Sequence, residues 1–84
     1  MKIIVRYFAL LREEAGRESD EVSWEDASPT LERFREYLAE RTPEIADTLR
    51  ERPLLCAVNR AYAAAGTEMR DGDEVALFPP VTGG

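Results

Sequence analysis

The chain has 84 residues, 44% hydrophobic and 33% charged, with three Phe, three Tyr and one Trp; this is material for one small globular domain, and neither a second domain nor a largely disordered chain is expected. Seventeen acidic residues against eleven basic ones, with no histidine, give a net charge of -6, which disfavours nucleic acid or an anionic membrane as a partner and favours a basic groove on another protein. The single cysteine, Cys56, excludes an internal disulfide and fits a reducing compartment, and the apolar opening MKIIVRYFALL is broken by Arg6 and too short to span a bilayer, so a cytoplasmic protein is expected.

Residues Lys2 to Phe8 are β-branched and aromatic and alternate, with Ile3, Val5 and Tyr7 on one side and Ile4, Arg6 and Phe8 on the other; this pattern predicts a strand. LLREEAG then reads as a short helix closed by Gly16, and DEVSW as a second strand with Val22 and Trp24 on one face, the two strands forming a hairpin with a wide connection. Ser28-Pro29-Thr30 opens a helix that Ser28 would cap, with Leu31, Phe34 and Leu38 as its buried stripe and Arg33, Arg35 and Glu36 in water. Pro43 ends that run, PEIADTLRER offers a second short helix with Ile45 and Leu49 inward, and LLCAVN reads as a third strand. A turn at Asp71-Gly72-Asp73 leads into a last strand, Glu74 to Phe78, with Val75 and Leu77 on one face. The order strand, strand, helix, strand, strand predicts an α+β layer: a mixed sheet of about four strands with one main helix across it.

The sequence then closes on FPPVTGG. Two prolines cannot donate to a sheet ladder, so Pro79 and Pro80 end the strand and launch residues 79–84 outward from a folded body of residues 1–78. Such a tail reaches roughly 20 Å at about 3.3 Å per residue. Gly83 and Gly84 lack Cβ atoms, so they fit a narrow channel and leave a terminal carbonyl open to attack; the plainer reading is a frayed end.

YFALLREEAG, LLCAVN and DGDEVALFPPVTGG together resemble, over essentially the whole chain, the ubiquitin-like sulfur-carrier family to which the small subunit of molybdopterin synthase belongs. The resemblance implies a β-grasp fold and a carrier that is not catalytic on its own. It implies that a separate, E1-like activating enzyme uses ATP to adenylate Gly84, that a sulfur donor system converts the adenylate to a thiocarboxylate, and that Gly83 and Gly84 enter the large catalytic subunit. There the sulfur would pass to a cyclic pyranopterin monophosphate to build the molybdopterin dithiolene. No cofactor or metal is expected on the chain itself. The chain has no phosphate-binding Gly-x-x-x-x-Gly-Lys loop, so activation by a partner follows from the residues as well.

If Ile3, Val5, Val75 and Leu77 face the helix, Ile4, Phe8 and Phe78 lie on the open face of the sheet, where Tyr62 joins them. That pattern reads either as a docking patch or as rings folded under loops. The resemblance matches Phe8, Tyr62 and Phe78 and implies the patch, continued by Pro79, Pro80, Val81 and Thr82 as partner-binding residues. Cys56, on an apolar strand, reads as a small core residue rather than a sulfur relay. DGDE lacks the full spacing of a calcium loop and reads as a charged turn, and Arg12 and Glu13 read as a solvated helix face. A carrier for thiamine or tRNA thiolation, a ubiquitin-like modifier joined through Gly84, and a binding module with an inert tail are the competing functions.

Overall fold

The computed structural model describes residues 1–80; the expectations placed on Val81, Thr82, Gly83 and Gly84 lie outside the described residues. In chain order the elements are β1 (Lys2–Tyr7), α1 (Leu10–Ala15), β2 (Ser19–Ser23), α2 (Leu31–Arg41), α3 (Pro43–Glu51), β3 (Leu55–Val58), β4 (Ala61–Tyr62) and β5 (Glu74–Phe78). They build one five-stranded sheet in the order β2-β1-β5-β3-β4. The central pair, β1 and β5, is parallel, with Val5 opposite Val75 and Tyr7 opposite Leu77. Every other neighbouring pair is antiparallel. This is the mixed-sheet α+β architecture expected of a β-grasp chain.

Period-two alternation sorts the strand residues onto two faces. Ile3, Val5, Tyr7, Val22, Cys56, Val75 and Leu77 are buried on one of them, in a single cluster with Leu11 of α1, Leu31, Phe34 and Leu38 of α2, and Ile45 and Leu49 of α3. The helices therefore cover one face only. Trp24, just past β2, closes the cluster by standing edge-on to Phe34 with ring centroids 5.2 Å apart. Thr48 of α3 donates to Glu14 of α1 at 2.6 Å, so the two helices are tied by a charge-assisted bond as well as by packing.

Three local expectations change. The helix cap is Thr30, not Ser28: the Thr30 side chain accepts from the backbone N–H of Arg33, and α2 begins at Leu31. The segment before it is held elsewhere, the Ser28 N–H by Asp26 and the Pro29 carbonyl by the N–H of Met69. Arg35, expected in water, is half-buried because α3 packs beside α2, and its guanidinium donates to the Leu49 carbonyl at 3.1 Å. The sheet also has a fifth strand, the two-residue β4, which returns from β3 through Asn59 and Arg60, both at positive φ (51° and 70°). Two consecutive left-handed residues make the tight hairpin turn whose twist matches paired strands.

Candidate docking face and tail root

The open face of the sheet presents a band of aromatic rings beside the exit of β5. Because Val75 and Leu77 point inward, Phe78 points out, and the parallel register with β1 sets Phe8 next to it. Phe8 stands edge-on to Phe78 with centroids 6.5 Å apart and planes at 90°. On the other side Tyr62, on the edge strand β4, lies 5.9 Å from Phe78. Phe78 thus holds the band together and is itself half-buried, whereas Phe8 is 45% and Tyr62 75% exposed. Cross-strand partners Leu55 and Phe78, and Ala57 and Ala76, share this face, so small and apolar side chains floor the rings. Exposed rings on a firm apolar floor have the anatomy of a docking surface.

The charges on this face are balanced. Arg6 meets Glu74 at 3.1 Å and Lys2 meets Glu21 at 3.9 Å. The acidic run of Glu32, Glu36, Glu40, Glu44, Asp47 and Glu51 lies on α2 and α3, on the helical side. Long-range attraction to a basic surface would therefore act through the helical layer, and the ring band would dock by apolar contact.

Pro79 and Pro80 follow Phe78 as exposed residues outside the sheet. They wall a mostly apolar cleft of about 260 Å³ whose other sides are Leu10 and Leu11 of α1, Thr48 of α3, and Arg52, Pro53 and Leu54 before β3. Leu10, 38% exposed, is a candidate contact that the sequence reading missed. The signal was the pair Leu10-Leu11: a one-sided helix of six residues can bury one of them, and Leu11 is the buried one. Between Phe8 and Leu10 sits Ala9 at φ 52°, ψ -126°, a backbone conformation that favours glycine.

The remaining candidates stand away from this chemistry. Cys56 is buried and faces the helices, and burial pushes its thiol pKa up, which keeps it protonated and unsuited to relaying sulfur. Lys2 lies at the other end of the β1–β5 pair, where its carbonyl accepts from Gly72. The carboxylates of Asp71 and Asp73 accept from the N–H groups of Lys2 and Arg70 and from the Asn59 amide, which makes the turn a structural one. Arg12 and Glu18, both exposed, approach to 3.7 Å, a contact of small worth in water. Among the described residues no cluster of His, Cys, Asp or Glu is placed to hold a metal ion, and no helix is long and apolar enough to cross a membrane.

Comparison with known proteins gives the geometry a context. The profile of the ThiS family matches residues 5–84. The molybdopterin synthase sulfur carrier subunit of Escherichia coli (strain K12) is 42% identical over 82 residues, covering 98% of this chain and 99% of the relative. The protein of the same name from Haemophilus influenzae is 40% identical over 80 residues, covering 95% and 96%. In structure, the chain is similar to SAMP1, a small archaeal modifier protein of Haloferax volcanii, with a TM-score of 0.83 and 30% identity over 100% of both chains.

Proposed function

The chain belongs to the ThiS family, and we propose that it is the sulfur carrier subunit of a molybdopterin synthase, working in the cytoplasm in molybdenum cofactor biosynthesis. The observation that carries this reading is full-length likeness to relatives named for that role. The fold supports it by setting an apolar docking band at the root of a proline-led tail.

In this reading Gly84 is the reactive end. Its carboxylate is a poor electrophile; an activating enzyme joins it to AMP from ATP with release of pyrophosphate, and AMP then leaves as sulfide supplied by the donor system attacks the carbonyl. The product is a thiocarboxylate, an anion at neutral pH with its charge largely on a nucleophilic sulfur. Phe8, Tyr62 and Phe78 dock on the large subunit, while Pro79, Pro80, Val81 and Thr82 carry Gly83 and Gly84 into its catalytic site. Sulfur bonds to a side-chain carbon of the cyclic pyranopterin monophosphate in place of an oxygen that leaves that carbon, water breaks the carbonyl–sulfur bond, and Gly84 returns as a carboxylate. A second charged chain supplies the second dithiolene sulfur. With no histidine and one lysine in the chain, proton transfers fall to the large subunit.

Incubation with the activating enzyme, ATP and a sulfur donor should raise the intact mass by about 16 Da, oxygen replaced by sulfur. An unchanged mass, under conditions that convert a known carrier, would count against the carrier role. Likeness to a small archaeal modifier protein supports a second reading, conjugation through Gly84 to lysines. Gly-Gly remnants on other proteins would favour it.

A further inference from the structure

We propose that the turn Phe8-Ala9-Leu10 is a guide for the root of the tail, in which Leu10 is a positioning residue that sets the direction in which Pro79 and Pro80 leave the sheet. Its consequence for sulfur transfer rests on the carrier reading above; its geometry does not.

Ala9 holds φ 52° and ψ -126°, and the turn is closed by the Leu11 N–H donating to the Phe8 carbonyl at 3.2 Å. A strained conformation at a residue other than glycine persists where the surrounding structure holds it, and such strain clusters at functional sites. Here its effect is to turn two large apolar side chains outward at the end of β5. Phe8 meets Phe78, while Leu10 joins Pro79 and Pro80 in walling one cleft. The core does not need Leu10, since Leu11 fills the inward position of the same turn.

The cleft suits prolines. Leu10, Leu11, Pro53 and Leu54 supply apolar walls, the hydroxyl of Thr48 is already bonded to Glu14, and Arg52, the one charged residue of the lining, is exposed. Proline has no N–H to lose on leaning against such a surface. Apolar attraction across the cleft that Leu10 walls together with Pro79 and Pro80 therefore biases the tail root toward α1 and the segment before β3. A tail directed before it meets a channel has less conformational freedom to lose on threading. Where the rings set the affinity and insertion is a later step within the bound complex, the guide raises the inserted fraction, and so the transfer rate, with little change in Kd while that fraction is small.

The test compares the full chain with Leu10→Ala and with the conservative Leu10→Ile. ¹³Cα relaxation at Pro79 and Pro80 in the free chain should show larger-amplitude motion in Leu10→Ala and near-normal motion in Leu10→Ile. In single turnovers from the thiocarboxylated chain, Leu10→Ala should transfer sulfur about 5-fold more slowly, with its Kd for the large subunit unchanged within about twofold. Leu10→Ile should restore the rate, which a loss of folding alone would not explain. Unchanged proline relaxation in Leu10→Ala would overturn the guide. So would a loss appearing wholly in Kd, which would make Leu10 a docking contact. Should the unmodified sequence transfer no sulfur, the carrier reading falls while the relaxation measurement still decides the guide.

Discussion

Phe8 and Phe78, drawn from the two ends of the chain, meet edge-to-face at 6.5 Å because β1 and β5 run parallel with Tyr7 opposite Leu77. The same register that buries Tyr7 and Leu77 pushes the next residue of each strand out beside the tail. The fold and the proposed docking band are thus coupled through one pair of strands: the core sets the position of the rings without containing them.

Replacing Phe78 by Asp should weaken binding to the large subunit by about 2 kcal/mol, roughly 30-fold, since it removes the ring that the other two contact and puts a charge in the band. Tyr62→Ala should also weaken binding while changing stability by no more than about 0.5 kcal/mol, because the ring is 75% exposed. Calorimetric titration and thermal melts check both. A large fall in Tm for Tyr62→Ala would place that ring in the core instead.

Ala9→Gly should stabilise the chain. Glycine adopts φ 52°, ψ -126° without the steric cost that Ala9 bears, a strain of order 1–3 kcal/mol, set against about 1 kcal/mol of extra backbone entropy in the unfolded glycine variant. A net gain of about 1 kcal/mol would raise Tm by roughly 4–8 °C. A fall in Tm would show that the turn is unstrained.

Tyr7 predicts an alkaline limb in the stability curve. Burial, reinforced by its hydrogen bond to the Asp20 carboxylate at 2.8 Å, raises its phenol pKa far above the ordinary 10.0. The folded state therefore keeps a proton that the unfolded state releases. Stability is fully present below pH 10 and falls as pH rises from there toward the folded value. The Cys56 thiol, raised by burial from 9.0, acts in the same direction from slightly lower pH. Tyr7→Phe should cost about 1–2 kcal/mol at neutral pH through the lost bond, yet lose less stability between neutrality and pH 11 than the unsubstituted chain in denaturant titrations. Parallel curves would show that Tyr7 ionises alike in both states.

Thr30→Ala should cost about 1 kcal/mol by removing the cap on α2, while Ser28→Ala should change stability by no more than a few tenths. Equilibrium unfolding in urea distinguishes the two sites; the reverse ranking would return the cap to Ser28.

The contrast between Ser28 and Thr30 shows what the sequence carried. Both are good caps ahead of the Leu31, Phe34, Leu38 stripe, and the choice was made by distant partners: Met69 takes the Pro29 carbonyl and the Thr67 carbonyl takes the N–H of Leu31. Elements with one buried face were legible from their alternation, as with Ile3, Val5 and Tyr7, Val22 and Trp24, or Val75 and Leu77. The strand β4 was not, because both of its residues are exposed and leave no alternation; its turn carries Arg60 where glycine would have announced it. At the candidate docking face, strand parity put Phe8 and Phe78 on the open side with Tyr62 beside them, while the choice of an exposed patch over rings folded under loops needed the family resemblance. The Ala9 turn was hidden because an alanine gives no sign of positive φ, and without it the pair Leu10-Leu11 did not show which of the two faces outward.

The central claim, that this chain carries sulfur on Gly84 to a pterin, is tested most directly by a transfer reaction without ATP or any other sulfur source. The purified thiocarboxylated chain is mixed with the large subunit and cyclic pyranopterin monophosphate, and both products are followed by mass spectrometry. The carrier reading predicts sulfur on the pterin, with one chain returned to the carboxylate for each sulfur gained. A thiocarboxylated chain recovered intact, beside a pterin without sulfur and a large subunit active with a known carrier, would contradict it.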